Sequence, residues 1–330
     1  MFDRKLVKKL VNAVGIKKDD LVLLQFWGND DQLETVHNFS YEVAALGATP
    51  VELHQSLEKN RNILSAMKEG CYNDKFFSMF DKVDVVLDIM MTRPGFPGKG
   101  LEEEQIALAN QYIGRYFGML VSKPKMVQIR IPSKDNAADA GMEEKEFEER
   151  LIKACDIDYE AVKKACEDKL KEIGTKTQVS IHTGADCILT LDLTGREWEK
   201  DAGDGDLPCG EICIAPLENK TNGTVYFEQL FADGEDMGAV TITVENGIAI
   251  TSDSEAFNGF LAELPPNGNV VCELGIGMNP GVTDLCGCEV LDEKMIGTFH
   301  IALGKNDMFG GTNDSLVHLD FVGHGEVIFS

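Results

Sequence analysis

Asp20-Leu-Val-Leu-Leu-Gln-Phe-Trp27 (DLVLLQFW) is a nearly continuous apolar run, the pattern of a strand buried on both faces, as in parallel sheets. The sequence around it alternates strand and helix. A helix is predicted over Leu33–Leu46, stopped by Gly47 as a C-terminal cap. Thr49–Leu53 reads as the next strand, the β-branched Val83–Met90 (VDVVLDIM) as a third, and Met126–Ile131 as a fourth. A helix over Leu101–Leu120 precedes the last of these. This order implies an open α/β domain with a mostly parallel sheet over residues 1–135. No G-x-G-x-x-G or G-x-x-x-x-G-K-[ST] follows the first strand, which leads instead into Gly28-Asn29-Asp30-Asp31. A dinucleotide site of that type is thereby rejected.

Residues 133–141 (SKDNAADAG) are small and polar, as a linker would be. Helices over Glu143–Ala154 and Tyr159–Gly174 follow, the second with Asp158 as N-cap. They make 136–175 a helical linker region. From about Lys176 the apolar period becomes two. Strands are predicted over Val179–His182, Cys187–Leu193, Glu211–Ala215, Gly223–Gln229, Ala239–Glu245 and Gly247–Thr251. Glu245-Asn246-Gly247 signals a hairpin. After a helix over Ser254–Leu264, further strands cover Val270–Leu274, Thr298–Leu303, Val317–Phe321 and Glu326–Phe329. Residues 176–330 thus read as an α+β domain with a mainly antiparallel sheet.

The net charge of −25, from 31 basic and 56 acidic residues among 330, argues against nucleic-acid or anionic-membrane partners. No apolar run approaches the roughly 20 residues of a membrane span. MFDRKLVKKLVNAVG reads as an amphipathic helix rather than a signal peptide. The expected location is therefore cytoplasmic. Nine scattered cysteines, an odd number, do not form a disulfide framework. Cys286-Gly287-Cys288 reads first as small buried thiols and second as a redox or metal hint.

The chemistry concentrates in the second half, in the segments DLPCGE (206–211), VCELGIGMNP (271–280), GTFHIALG (297–304) and GGTNDSLVHLD (310–320). Each puts a Glu, His or Asp into an apolar strand beside glycine. A bare charge there costs several kcal/mol unless paired or bound to a cation. In a strand His318 and Asp320 share one face, with Leu319 opposite. The set Glu211, Glu273, His300, His318 and Asp320 suits a divalent metal such as Zn, Mn, Co or Fe(II). His324, between two glycines, is a candidate substrate-binding group.

These segments resemble the M29 family of metalloaminopeptidases, of the thermophilic aminopeptidase T type. DIDYEAVKKA (156–165), LTGRE (193–197) and APLENKTNG (215–223) extend the similarity upstream. It covers residues 145–330 well and the first domain in architecture only. The resemblance implies that Glu211, Glu273, His300, His318 and Asp320 ligate one or two divalent ions (Zn, Co or Mn). It also implies a metal-bound water as nucleophile, a carboxylate as general acid/base, and a homodimer. Glu273 and Glu211 are the candidate catalytic carboxylates; Glu211 could be ligand or acid/base. The substrate would be a short peptide or small amide, lying between the domains. The family's Tyr ligand is replaced by Asp307, a possible additional ligand, and both the loop before His318 and the whole chain are short. In these respects the chain is similar to the branch of 2,5-dihydroxypyridine 5,6-dioxygenase. The alternative reading is therefore an Fe(II)-dependent ring-cleaving enzyme acting on a small hydroxypyridine-type compound, with Arg93 holding a substrate carboxylate. In that branch a His replaces Glu273 and the His300 position is not a ligand. Its active-site His is also missing from Met90-Met91-Thr92-Arg93-Pro94.

Overall fold

The computed structural model describes residues 1–95 and 100–330. In chain order the elements begin with α1 (Arg4–Val14), β1 (Leu21–Trp27), α2 (Leu33–Ala45), β2 (Thr49–Gln55), α3 (Leu57–Ala66), α4 (Asp74–Ser78) and β3 (Val85–Met90). Next come α5 (Glu103–Val121), β4 (Lys125–Arg130), α6 (Lys134–Asp139), α7 (Glu144–Cys155) and α8 (Tyr159–Ile173). The strands β5 (Gln178–Thr183), β6 (Cys187–Asp192), β7 (Glu199–Asp201), β8 (Asp206–Leu207), β9 (Glu211–Ile214) and β10 (Asn222–Phe227) follow. The remainder is β11 (Phe231–Ala232), β12 (Glu235–Asp236), β13 (Val240–Glu245), β14 (Ile248–Ser252), α9 (Glu255–Glu263), β15 (Val271–Gly277), α10 (Glu289–Asp292), β16 (Phe299–Gly304), β17 (His318–Gly323) and β18 (Glu326–Phe329).

Two compact units emerge, one of residues 1–156 with 203–208, the other of residues 157–202 with 209–330. Their boundary falls inside the expected 136–175 segment, between α7 and α8. The first unit carries a parallel sheet in the order β2-β1-β3-β4-β8. Every residue of β3 is buried, and so is β1 after Leu21, which is why both strands read as unbroken apolar runs. Two sequence expectations are corrected here. Residues 134–139 form a helix rather than a linker. Ser133 accepts the Asn136 N–H at 3.0 Å, and the buried Asn136 amide donates to the Met90 and Ile131 carbonyls. The small polar residues are a cap and an anchor. Residues 203–208, expected within the 176–330 domain, fold with the first unit, where 206–207 add a fifth parallel strand to the sheet.

The second unit has two large antiparallel sheets, β14-β13-β10-β6-β5-β18 and β17-β16-β15-β9-β7, and a two-stranded antiparallel pair of β11 and β12. Ile181, Leu189, Val225 and Ile242 of the first meet Ile214, Leu274, Phe299, Ile301, Leu303 and Phe321 of the second in one buried cluster. Sheet-on-sheet burial of this kind is the main stabilising term. Asn246 and Gly247 both take positive φ between β13 and β14, as a two-residue hairpin turn requires. Gly247 is needed twice over, since a Cβ there would stand 1.5 Å from the Glu218 carbonyl oxygen. Among the described residues no helix is long and apolar enough to cross a membrane.

Candidate metal centre

Alternation along the second sheet creates the site. In β16, Phe299, Ile301 and Leu303 enter the core, so His300, Ala302 and Gly304 take the opposite face. Antiparallel register then fixes the neighbours on that face. His300 lies beside Gly275 and Val322, and Ala302 beside Glu273 and Asp320. Gly304 pairs with His318, and Glu211 with Gly277 and Asp201. A bulge between Val271 and Glu273 resets the β15 register just before this carboxylate. The small residues make the floor and the charged ones stand over it. Gly275 is the tightest point, since a Cβ there would lie 1.8 Å from His300 Nε2.

The five residues singled out in the sequence converge. His300 Nε2 lies 3.3 Å from Glu273 Oε1, 3.6 Å from Glu211 Oε2 and 3.8 Å from Asp320 Oδ1. His318 Nε2 lies 3.0 Å from Glu273 Oε2 and 3.5 Å from Asp320 Oδ2. Glu273 and Asp320 therefore each give one oxygen to one imidazole and the other oxygen to the other. Donor atoms of Glu273, His300 and Asp320 all lie within 4.8 Å of one another. His318 Nδ1 is 2.7 Å from the Lys305 carbonyl oxygen; it donates there, so Nε2 is the nitrogen turned to the carboxylates.

Electrostatics reflect the crowding. Burial pushes Glu211 up to about 7, against the pull of Lys294 and His300. Burial also drives Asp320 well above the usual carboxylate range, with His300 opposing. For Glu273 burial acts upward too, but hydrogen bonds from His300 and His318 hold it low. Burial alone would depress His300; its hydrogen bond to Glu273 and the charges of Asp320 and Glu211 raise it to about 9 instead. His318 is raised as well, burial being outweighed by Cys272 and Glu273. Protonated imidazoles thus balance carboxylates here, a role a divalent ion fills equally.

The donor set fits such an ion. Glu211 Oε2 and Asp320 Oδ1 are buried and have no hydrogen-bond partner, a costly condition that metal coordination relieves. His300 Nδ1 is likewise buried without a partner, and nothing in the structure explains that.

Two other candidates of the second unit do not join the cluster. Asp307 is exposed in a short 3-10 turn and pairs with Lys305 at 3.3 Å. His324 is exposed beyond the end of β17, and Arg93 is exposed just after β3 in the first unit. Cys286 serves a loop: its N–H and thiol, with the Gly287 N–H, all reach the Asp292 carboxylate.

Sequence reasoning missed the basin's other charges. Lys294, only 2% exposed, sits 2.5 Å from Glu211 Oε1, 2.8 Å from Glu293 Oε1 and 3.8 Å from Asp201 Oδ2. Glu289 Oε1 accepts the Asp320 N–H at 3.3 Å. Only the pairing of β7 with β9 shows that Asp201 stands beside Glu211.

The family model described as thermophilic metalloprotease (M29) matches residues 9–328. The solved structure of wild-type AmpT from Thermus thermophilus is similar at a TM-score of 0.68 and 18% identity, covering 99% of this chain and 97% of that one. That of 2,5-dihydroxypyridine dioxygenase from Pseudomonas putida KT2440 is similar at 0.65 and 12%, covering 98% and 92%. At such identities the likeness is one of fold. No curated protein matches the chain significantly.

Proposed function

We propose, from the premise that this chain belongs to the thermophilic metalloprotease family M29, that it removes the N-terminal residue of short peptides or small aminoacyl amides. The enzyme class, a metallopeptidase-type hydrolase, follows from the family.

One observation carries it. Glu273 and Asp320 split their oxygens between His300 and His318, so that two imidazoles and two carboxylates face one another and would hold one or two divalent ions. Glu211 Oε2 adds a donor on the His300 side. Glu211, Glu273, His300, His318 and Asp320 would hold the ions, with zinc, cobalt or manganese suited to this mixed nitrogen and oxygen set. Divalent ions bound there supply a water acidified towards neutral pH and a Lewis-acid contact for the scissile carbonyl oxygen.

The chain's own residues do the rest. Lys305 fixes the His318 tautomer through its carbonyl oxygen. Lys294 grips Glu211 Oε1, so that Glu211 presents Oε2 alone. Glu211 is either a ligand through Oε2 or, where it holds no ion, the group that takes up and releases a proton, since burial pushes it up to about 7. Glu273 and His300, both drawn into the cluster, favour hydrolysis over the ring-cleaving alternative.

The protein works as a homodimer in the cytoplasm. Nine free cysteines suit a reducing compartment, and the net charge of −25 speaks against nucleic-acid partners. Light scattering should give about twice the 36.3 kDa chain mass; a monomer at micromolar concentration and moderate salt contradicts the dimer.

Glu273→Gln tests the site. It keeps shape and removes charge, so metal affinity and amide turnover should both fall by orders of magnitude, on the order of 100-fold or more. Wild-type turnover and metal binding in this variant would refute the assignment.

A further inference from the structure

LTGRE (193–197) and APLENKTNG (215–223) carry part of the family resemblance yet give no residue to the metal cluster. Resting on the metal site proposed above, we infer that Arg196 and Glu218 of these two segments hold the buried Asn306, and that Asn306 is a positioning residue which sets Glu273 and His318 relative to one another.

Asn306 reaches the Glu273 side through the β15 bulge. Cys272 is skipped by the register with β16 and lies beyond the end of the register with β9. A buried carbonyl oxygen at such a point needs a donor from elsewhere. Asn306 Nδ2 supplies it, donating to the Cys272 carbonyl oxygen at 3.1 Å. Glu273 is the next residue along, so the bulge that aims its carboxylate is tied to Asn306. The His318 side is reached through the backbone. Lys305, the neighbour of Asn306, offers the carbonyl oxygen to which His318 Nδ1 donates at 2.7 Å. One fixed residue thus sits a single peptide away from the supports of two cluster residues.

Asn306 is itself held firmly. It is fully buried. Its Oδ1 accepts the Asn313 N–H at 2.8 Å, its N–H donates to the Asn313 carbonyl oxygen at 3.1 Å, and its carbonyl oxygen accepts the Gly311 N–H at 2.9 Å. Gly311 passes so close that a Cβ there would stand 2.0 Å from Asn306 Cγ. Nδ2 also donates to Glu218 Oε1 at 3.3 Å. The same oxygen accepts the Thr312 N–H at 2.6 Å, and Glu218 Oε2 accepts from Arg196 Nη2 at 2.6 Å. Arg196 Nη1 donates to the Gly310 carbonyl oxygen. The guanidinium fork therefore joins the carboxylate to the loop, which a single ammonium donor does less well. The Glu218 backbone is seated in turn against Gly247, where a side chain would collide with its carbonyl oxygen.

The rival reading is a loop staple with no bearing on the site. The same loop has such a staple in Ser315, whose Oγ donates to the Pro266 carbonyl oxygen at 3.2 Å. That bond touches neither Cys272 nor Lys305, and so it serves as the control.

The test is a cobalt(II) titration of the full-length, chelator-stripped protein. Visible absorption bands report the arrangement of ligands, chelator competition the affinity, and thermal melting the stability. Asn306→Ala should weaken cobalt binding about 10–100-fold, the usual loss for a group that orients ligands from behind, and should shift the bands. Arg196→Met should act in the same direction by less. Arg196→Lys, which keeps the charge, should recover part of that loss. Ser315→Ala should lower the melting temperature and leave affinity and bands as in the wild type. Wild-type affinity and bands in Asn306→Ala overturn the inference and leave the metal site standing; where that variant does not fold, the same result in Arg196→Met does so. A wild type that binds no cobalt overturns the metal site itself and the inference with it.

Discussion

Gly275→Ala isolates packing from ligand chemistry, because it alters no donor atom. Gly275 has no positive φ, so alanine is allowed by the backbone, and elsewhere such a change would stabilise by about 0.4–1 kcal/mol. Here the new Cβ would meet His300 Nε2 at 1.8 Å, Cε1 at 2.0 Å and Cδ2 at 2.6 Å. Contacts below 3.0 Å are essentially never seen for a Cβ, so the ring must retreat by about 1.2 Å, the difference between those distances. His300 is fully buried, and forcing such a ring aside costs about 1–3 kcal/mol. Metal–ligand distances tolerate only about 0.2 Å, so His300 is lost as a donor. Metal affinity should fall at least tenfold, about 1.4 kcal/mol or more. Chelator-competition titration and thermal melting of the stripped protein measure the two effects. Unchanged affinity together with an unchanged melting temperature would refute the reasoning.

Other outcomes follow from the same geometry. His318→Ala and Asp320→Ala should each remove most bound metal, by elemental analysis, with circular dichroism unchanged; normal metal content in both would sink the assignment. Lys294→Met strands the Asp201, Glu211 and Glu293 carboxylates around one lost ammonium. Urea unfolding of the stripped protein should show a loss of about 3–5 kcal/mol, smaller for Lys294→Arg; wild-type stability in the Met variant would contradict the pairing. For pH, His300 rises from 6.5 to about 9 in the folded chain. Its proton therefore stabilises the stripped protein fully below pH 6.5, and that contribution is lost as pH climbs through 9. Metal must displace the same proton, so affinity should strengthen across that window. Melting curves and titrations at pH 6.5 and 9 check both signs, and a flat response in both would remove His300 from the site.

The legible parts of the sequence were those where one physical demand dominates. β1 and β3 are buried on both faces and so read as apolar runs. Asn246-Gly247 must take positive φ and so marks a hairpin. The five cluster residues stood out because a charge in an apolar strand beside glycine needs a partner. What stayed hidden depends on pairing. Asp201 became visible only through β7 lying against β9. Glu289 opens a four-residue helix and Glu293 and Lys294 follow it, a charged stretch that no sequence pattern sets apart, and only the fold brings α10 beside β17. Residues 133–141 misled because one small polar composition serves both a linker and a capped, anchored helix. Asp307, in a 3-10 turn, and His324, between β17 and β18, are exposed rather than held in a buried strand, and Arg93 is exposed in the first unit.

The most direct test of the account is turnover by protein purified without chelator, its metal content first measured, under argon and then under air. The account predicts bound divalent metal and cleavage of a small aminoacyl amide with cobalt or manganese, at the same rate in both atmospheres. Oxygen uptake with a hydroxypyridine and Fe(II), with no aminoacyl amide cleaved, would contradict it.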